Sequence, residues 1–192
     1  MLNMLFDKGA NYMSAQEIID YQTTKRIFGE NSSGPTVLYD LTYKATKFFN
    51  RIFLGNAYNA RNFYELEKQN IGLIINCSND IPHYFPENFD YRRIGVQDKL
   101  LENIYPYLNT TADTIDNYLR RNPDKNILIH CFMGSSRSAT ILMAYIIKYK
   151  GYSRRDALNF LRDKRNLVNI NIDFFNQLGD LEEIILNNRI CN

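Results

Sequence analysis

The most informative segment of this chain reads ILIHCFMGSSRSAT, residues 127–140. It begins with the continuous apolar run 127–129, which is typical of a strand buried on both faces of a parallel sheet. Five residues then separate Cys131 from Arg137, and a largely apolar segment at 138–150 predicts a helix. A buried strand that leads through a short loop into a helix is the repeating unit of an α/β fold.

Strand and helix patterns alternate on both sides of this segment. Further strands are predicted at 51–55, 72–77 and 91–96, and further helices at 59–69, 104–121, 153–164 and 172–186. This alternation predicts an α/β fold with a central, mostly parallel sheet of four to five strands and helices on both faces.

Residues 1–45 are predicted to be an N-terminal extension to a domain at 46–192. The segment SAQE, residues 14–17, matches a capping box, and the apolar residues after it predict an amphipathic helix that ends near Gly29. Such a helix can pack on its own domain or on a second copy of the chain. Homodimerisation through this helix is therefore a hypothesis.

Composition narrows the range of functions. The formal net charge is only +2, which does not favour binding to nucleic acid or to a membrane surface, and no apolar stretch approaches membrane-spanning length. Three cysteines without regular spacing are not a disulfide framework, and free thiols favour a reducing, intracellular compartment such as cytoplasm or nucleus. Two histidines and no C-x-x-C pair provide too few ligands for structural zinc, so neither metal nor cofactor is predicted.

The loop after the central strand has the properties of an anion cradle. Ligands of open α/β sheets bind at the carboxyl ends of the strands, and a helix N-terminus there adds partial positive charge. Gly134 permits the tight turn that such a loop needs. Backbone N–H groups are expected to bind one phosphate along the segment Phe132, Met133, Gly134, Ser135 and Ser136.

The side chains around this loop are those of covalent phosphoryl transfer. The helix dipole and Arg137 favour a thiolate at Cys131, which is a strong nucleophile. Arg137 also offers a planar fork to two phosphate oxygens. Ser138 is expected to hydrogen-bond the thiolate and later ease its departure, and His130 is expected to hydrogen-bond the loop backbone.

A leaving alkoxide or phenolate needs a proton, and Asp98 is the predicted donor. It lies 33 residues before Cys131 and follows the predicted strand 91–96, so it is expected at the same edge of the sheet. A carboxylic acid there can protonate the leaving oxygen and then deprotonate the water that hydrolyses phosphocysteine. Glu102 is the fallback.

The segment HCFMGSSRS, residues 130–138, resembles the H-C-x5-R-S signature of cysteine-based protein phosphatases, and its G-x-S-R-S ending resembles the dual-specificity branch. Asp98 matches the acid of that family. Ile170 departs from the pattern, because the family usually has Pro there. Three more segments resemble the family, and the likeness covers roughly 48–185: RIFLGNAYNA at 51–60, IGLIIN at 71–76 and NIDFFNQL at 171–178.

The resemblance implies a catalytic domain at 46–192 that hydrolyses phosphotyrosine and phosphoserine or phosphothreonine of a phosphoprotein, through phosphocysteine and without metal. It also places Arg165 near the mouth of the phosphate pocket, where this side chain would meet a second anionic group. The short connection between Asn76 and Tyr91 leaves little room for a deep, tyrosine-selective wall.

The sequence leaves two alternative functions for the protein and two interpretations of Cys77. Relatives of this fold act on phosphoinositides or RNA 5′ ends, but the loop residues between Cys131 and Arg137 carry no positive charge for a polyanion. A module that binds phosphoproteins without turnover would need a defective nucleophile or clamp, and both residues are present.

Cys77 is interpreted as an inert buried side chain. A disulfide with Cys131 is the alternative if the strands that precede the two cysteines are neighbours.

Overall fold

Five strands form one sheet in the computed structural model, which describes residues 44–190. The strands are β1 (Thr46–Phe48), β2 (Ile52–Gly55), β3 (Ile71–Asn76), β4 (Asp90–Arg93) and β5 (Asn126–His130). Their order across the sheet is β1-β2-β5-β3-β4, with β1 antiparallel to β2 and every other pair parallel. This confirms the predicted mostly parallel sheet. It adds β1, which at three residues was too short to show a pattern.

Helices cover both faces of the sheet, as predicted. They are α1 (Ala57–Arg61), α2 (Phe63–Lys68), α3 (Tyr105–Arg121), α4 (Arg137–Tyr145), α5 (Arg154–Lys164) and α6 (Ile172–Ile190), with a π-helical segment (Ile146–Lys150) directly after α4. The single helix predicted at 59–69 is wrong. Asn62 leaves helical geometry and caps α2, because its side-chain oxygen accepts the Glu65 N–H at 3.2 Å.

Alternating side chains divide the strands between two cores. On β5, Ile127 and Ile129 face the larger core beneath α3, α4, α5 and α6, while Leu128 faces the smaller core beneath α1 and α2. Cys131 continues this alternation and belongs to the larger core. The sheet is thus buried on both faces, which accounts for the continuous apolar run at 127–129.

The amphipathic helix predicted after residue 14 lies outside the described residues. Among residues 44–190, none of the helices combines the length and the apolar character needed to cross a bilayer.

Candidate active site

The predicted loop begins where β5 ends and runs into α4. Cys131 directly follows β5 and is 1% exposed, and Ser136 is the residue that precedes α4. The side chains of Phe132 and Met133 point into solvent, at 55% and 42% exposed. The loop therefore contributes its backbone, not these two side chains, to whatever its concave side binds.

Successive carbonyl groups of the loop all accept hydrogen bonds from donors outside it. Phe132 O accepts from Ala57 N at 3.1 Å, Gly134 O from Arg165 Nε at 3.0 Å, and Ser135 O from Asn169 N at 3.1 Å. Met133 O accepts from Arg165 Nη2 at 3.4 Å, and Ser136 O accepts from Thr140 N at 2.8 Å. Because peptide N–H and C=O groups point in opposite directions, carbonyls turned outward leave the N–H groups facing the loop's centre. Such a nest of amides binds anions.

Gly134 is required by two features of this loop. Its φ is +70°, and a Cβ at this position would lie 2.4 Å from Gly55 O at the end of β2. Any side chain here would push the loop away from the neighbouring strand. The Gly134 N–H instead donates to Cys131 Sγ at 3.2 Å.

The Cys131 sulfur lies within reach of two hydrogen-bond donors. Gly134 N–H and the Ser138 hydroxyl each donate to Sγ at 3.2 Å. Both contacts stabilise negative charge on the sulfur, together with the N-terminus of α4. The structure thus brings Ser138 to the place predicted for it.

The predicted clamp and acid also lie beside the loop. Arg137 is 8% exposed, donates from Nη1 to Val96 O at 3.3 Å, and places Nε 4.0 Å from Asp98 Oδ2. The Ser136 hydroxyl donates to Asp98 Oδ1 at 2.8 Å. Glu102, the fallback acid, instead forms an ion pair with Lys99 at 3.6 Å.

An open groove of about 440 Å³ extends from the loop along the acid. It is lined by Asp98, Lys99, Leu100, Ser135, Ser136, Asn169, Ile170, Asn171 and Ile172. The groove is open to solvent, so a substrate can approach the Asp98 side chain that lines it.

The prediction for Arg165 is wrong. Its side chain is completely buried, and it donates to Met133 O, Gly134 O and Thr46 Oγ1, so it lies behind the loop and does not reach the mouth. Burial lowers the pKa of Arg165 to about 10, and the negative charge of Cys131 opposes that shift, so the group stays protonated at neutral pH. Arg165 therefore supports the shape of the loop from behind, through its bonds to the carbonyls of Met133 and Gly134.

His130 is buried at the end of β5. Burial lowers the pKa of His130 to about 3; nearby positive charges add to this shift, and the adjacent Cys131 backbone opposes it. Neither ring nitrogen has a partner in ordinary hydrogen-bond geometry among the described residues. The Cys131 backbone at the start of the loop still interacts with this ring closely enough to raise its pKa, so the contact predicted from His130 to the loop backbone stays a prediction.

The buried, neutral His130 predicts a loss of stability in acid. Histidine in an unfolded chain has a pKa near 6.5, so between roughly pH 6.5 and pH 3 the unfolded state binds one proton more than the folded state. Stability therefore rises with pH in this window. This residue alone should lower the free energy of unfolding by about 2 kcal/mol between pH 7.5 and pH 5. Urea denaturation at both values should show that His130→Gln loses less stability than wild type.

The control for this titration is His83→Gln. Burial also lowers the pKa of His83, but this side chain keeps much of its contact with solvent, so its removal should change the pH dependence less. Identical pH dependence in wild type and His130→Gln would contradict the assignment.

The sheet register brings the two described cysteines together. β3 and β5 are parallel neighbours with Asn76 opposite His130, and Cys77 N–H donates to His130 O at 2.8 Å. Both thiols belong to the larger core, so they lie on one face of the sheet. Burial raises the pKa of Cys77 well above its usual range, the Cys131 charge adds to the increase, and Arg137 opposes it.

This arrangement predicts a disulfide between Cys77 and Cys131. Neighbouring strands are about 4.8 Å apart, within the Cα separation that disulfides accept. Peroxide should oxidise the Cys131 thiolate to a sulfenic acid and release hydroxide. The Cys77 thiol then attacks that sulfur, and water leaves. We expect wild type to recover activity with dithiothreitol after peroxide, and Cys77→Ala to recover much less. Mass spectrometry that finds no Cys77–Cys131 peptide after oxidation would exclude the disulfide.

Sequence reasoning missed most of the groups that shape the loop. Ala57 at the start of α1 and Asn169 before α6 bond the loop directly, and Thr46 of β1 acts on it through Arg165; all three are distant from the loop in the chain. Two of them act through backbone N–H groups, which every residue except proline has. Ala57 lies in the segment 51–60 that resembles the family, and no sequence pattern marks Thr46 or Asn169.

Comparisons with known proteins agree with this geometry. The family model described as dual specificity phosphatase, catalytic domain, matches residues 52–184. Mouse protein phosphatase Slingshot homolog 3 is 32% identical over 146 residues, which are 76% of this chain and 22% of that protein. Human Slingshot homolog 1 is 34% identical over 142 residues, 74% of this chain and 13% of that protein. The chain thus spans only a small part of the length of these relatives.

A solved structure has the same fold, and its sequence identity to this chain is similar to that of the Slingshot proteins. The human tyrosine phosphatase-like serine/threonine/tyrosine-interacting protein has a TM-score of 0.69 to this chain at 30% sequence identity. The match covers 74% of this chain and 97% of that one.

Proposed function

The chain belongs to the dual specificity phosphatase family, and we propose that it hydrolyses phosphotyrosine and phosphoserine or phosphothreonine in proteins through a phosphocysteine at Cys131. In this proposal residues 46–192 are the catalytic domain. The substrate is a phosphoprotein, and the reaction consists of two successive displacements at phosphorus.

The observation that supports this proposal best is the direction of the loop carbonyls. Every carbonyl from Phe132 to Ser136 is bonded to a donor outside the loop, so the amide N–H groups surround the space in front of Cys131 Sγ. A phosphoryl group bound there presents its phosphorus to the sulfur. Because the donors already hold the loop open, little energy is needed to reorganise it in the transition state.

The first displacement transfers the phosphoryl group to sulfur. The Cys131 thiolate attacks phosphorus, the ester oxygen leaves, and Asp98 gives that oxygen a proton. Arg137 is buried beside the loop, and its Nε–H has no hydrogen-bond acceptor among the described residues, so its fork can bind equatorial oxygens. Phosphocysteine and the free alcohol are the products.

The second displacement releases phosphate. The Asp98 carboxylate takes a proton from a water molecule, which attacks phosphocysteine and restores the thiolate. Ser138 donates to Sγ as negative charge returns to it, at the 3.2 Å separation seen between the two atoms. The groove along Asp98 is open to solvent, which supports a substrate class that is not limited to phosphotyrosine.

Turnover of p-nitrophenyl phosphate by the purified chain in EDTA tests the proposal. We expect hydrolysis in EDTA, followed by release of phosphate from both phosphotyrosine and phosphothreonine peptides. Hydrolysis of the phosphotyrosine peptide alone would narrow the substrate class. Tight binding of phosphopeptides without any turnover would instead support a module that binds phosphoproteins.

A further inference from the structure

The segment that carries the general acid has no regular secondary structure. It runs from Asp98 to Ile104, between β4 and α3. Leu101 in its middle has a φ of +62° and is 91% exposed, so neither packing nor a favourable backbone conformation fixes this part of the chain. Ile104 at the far end is buried in the core, so it is the exposed middle of the segment that depends on hydrogen bonds to another element.

Those bonds come from the first turns of α6 and the residue before it. Asn171 Nδ2 donates to Lys99 O at 2.8 Å, Asp173 Oδ2 accepts Leu101 N–H at 2.7 Å, and Gln177 Nε2 donates to Glu102 O at 2.9 Å. Gln177 Oε1 also accepts the N–H groups of Ile104 and Tyr105, at 2.9 and 2.8 Å. The start of α6 and the residue before it therefore hold the backbone from Lys99 to Ile104, while the Asp98 side chain itself is bonded by Ser136.

Asn171 has a special place among these residues because it also touches the phosphate loop. Its backbone N–H donates to Ser136 Oγ at 3.2 Å, and the Ser136 hydroxyl donates to Asp98 Oδ1 at 2.8 Å. Its side-chain oxygen accepts the Asp173 N–H at 2.9 Å and caps α6. One residue thus connects the helix, the acid segment and the loop.

We propose that Asn171 is the positioning residue for the general acid, and that it acts by fixing the backbone next to Asp98 relative to the phosphate loop. This inference rests on the proposed function. A general acid works only within hydrogen-bond reach of the oxygen it protonates, and a displacement of about 1 Å can lower the rate by about 10². Asp173 and Gln177 hold the more distant part of the same segment.

The test separates the bond to Lys99 from the capping of α6. Asn171→Ser keeps an oxygen that can cap the helix but has no group long enough to reach Lys99 O. Asn176→Ser is the matched control, because Asn176 is an exposed asparagine on the same helix, away from the acid segment. We expect Asn171→Ser to lower kcat on a phosphothreonine peptide by about 10-fold to 10²-fold, and Asn176→Ser to leave it unchanged.

Two further readouts distinguish positioning from a general structural role. The loss should be small for p-nitrophenyl phosphate, since its leaving group needs little protonation. In an Asp98→Asn background, Asn171→Ser should have almost no further effect on the phosphothreonine peptide, because there is no acid left to position. A residue that only stabilised the fold would lower all of these rates alike.

The outcomes separate this inference from the function on which it rests. An active wild type whose Asn171→Ser and Asp98→Asn effects multiply would overturn the positioning role alone. Equal losses on both substrates would do the same. A wild type that hydrolyses neither substrate would overturn the proposed function and the positioning role together.

Discussion

Cys131→Ser is expected to show no measurable turnover while it still binds phosphopeptides. The serine hydroxyl has no base beside it, since the nearest polar contacts of the Cys131 sulfur are two donors, Gly134 N–H and the Ser138 hydroxyl. An un-ionised hydroxyl is a poor nucleophile. The amide nest and Arg137 remain, so the phosphate site should stay intact.

Steady-state hydrolysis measures the expected loss of turnover, and calorimetry measures the binding of phosphopeptides that should remain. Cys77→Ala is the control, because Cys77 is a buried thiol on the neighbouring strand and takes no part in the proposed displacement. It should retain activity. Activity of Cys131→Ser within tenfold of wild type would end the phosphocysteine mechanism.

Asp98→Asn is expected to lower the rate on a phosphothreonine peptide by roughly 10²–10⁴, the usual contribution of general acid catalysis. Asparagine keeps the shape of the side chain and can still pair with Ser136, so the loop should keep its geometry. The amide, however, has no proton to give to a poor leaving group. The loss should therefore shrink for p-nitrophenyl phosphate, whose leaving group departs without help.

Comparison of the two substrates across a pH series checks this role. Asp163→Asn, an exposed aspartate on α5, is the matched control and should behave like wild type. If Asp98→Asn loses nothing on the phosphothreonine peptide, another group supplies the proton. Glu102 is then the first residue to change, although its carboxylate pairs with Lys99.

The sequence was sufficient for the parts of the site that are contiguous in the chain. β5, the loop and α4 follow one another, so local periodicity and the spacing from Cys131 to Arg137 were enough to predict them. The same holds for the order of strands and helices. The confirmed fold class rests on such local patterns, because the burial of one face of a helix, or of a whole strand, determines the spacing of apolar residues along the chain.

Two features that the sequence did not predict concern contacts between distant segments. The resemblance placed Arg165 near the loop, but the direction of its side chain depends on Thr46, 119 residues earlier. The bond from Asn171 to Lys99 joins residues 72 apart. No local pattern encodes such contacts, because they exist only after the helices have packed on the sheet. The break at Asn62 has another cause: a capping side chain outweighed the helical tendency around it.

The donors that hold the loop carbonyls also determine when the site can exist. Ala57 lies near the start of the described chain, whereas Arg165 and Asn169 follow the loop by about thirty residues or more. Contacts this far apart in sequence form late, because the intervening chain must first lose its freedom. During synthesis Cys131 emerges well before Asn169, so a nascent chain has the cysteine but not the complete ring of donors. We therefore expect the loop around Cys131 to reach its final shape only after Arg165 and Asn169 have been synthesised and have packed against it.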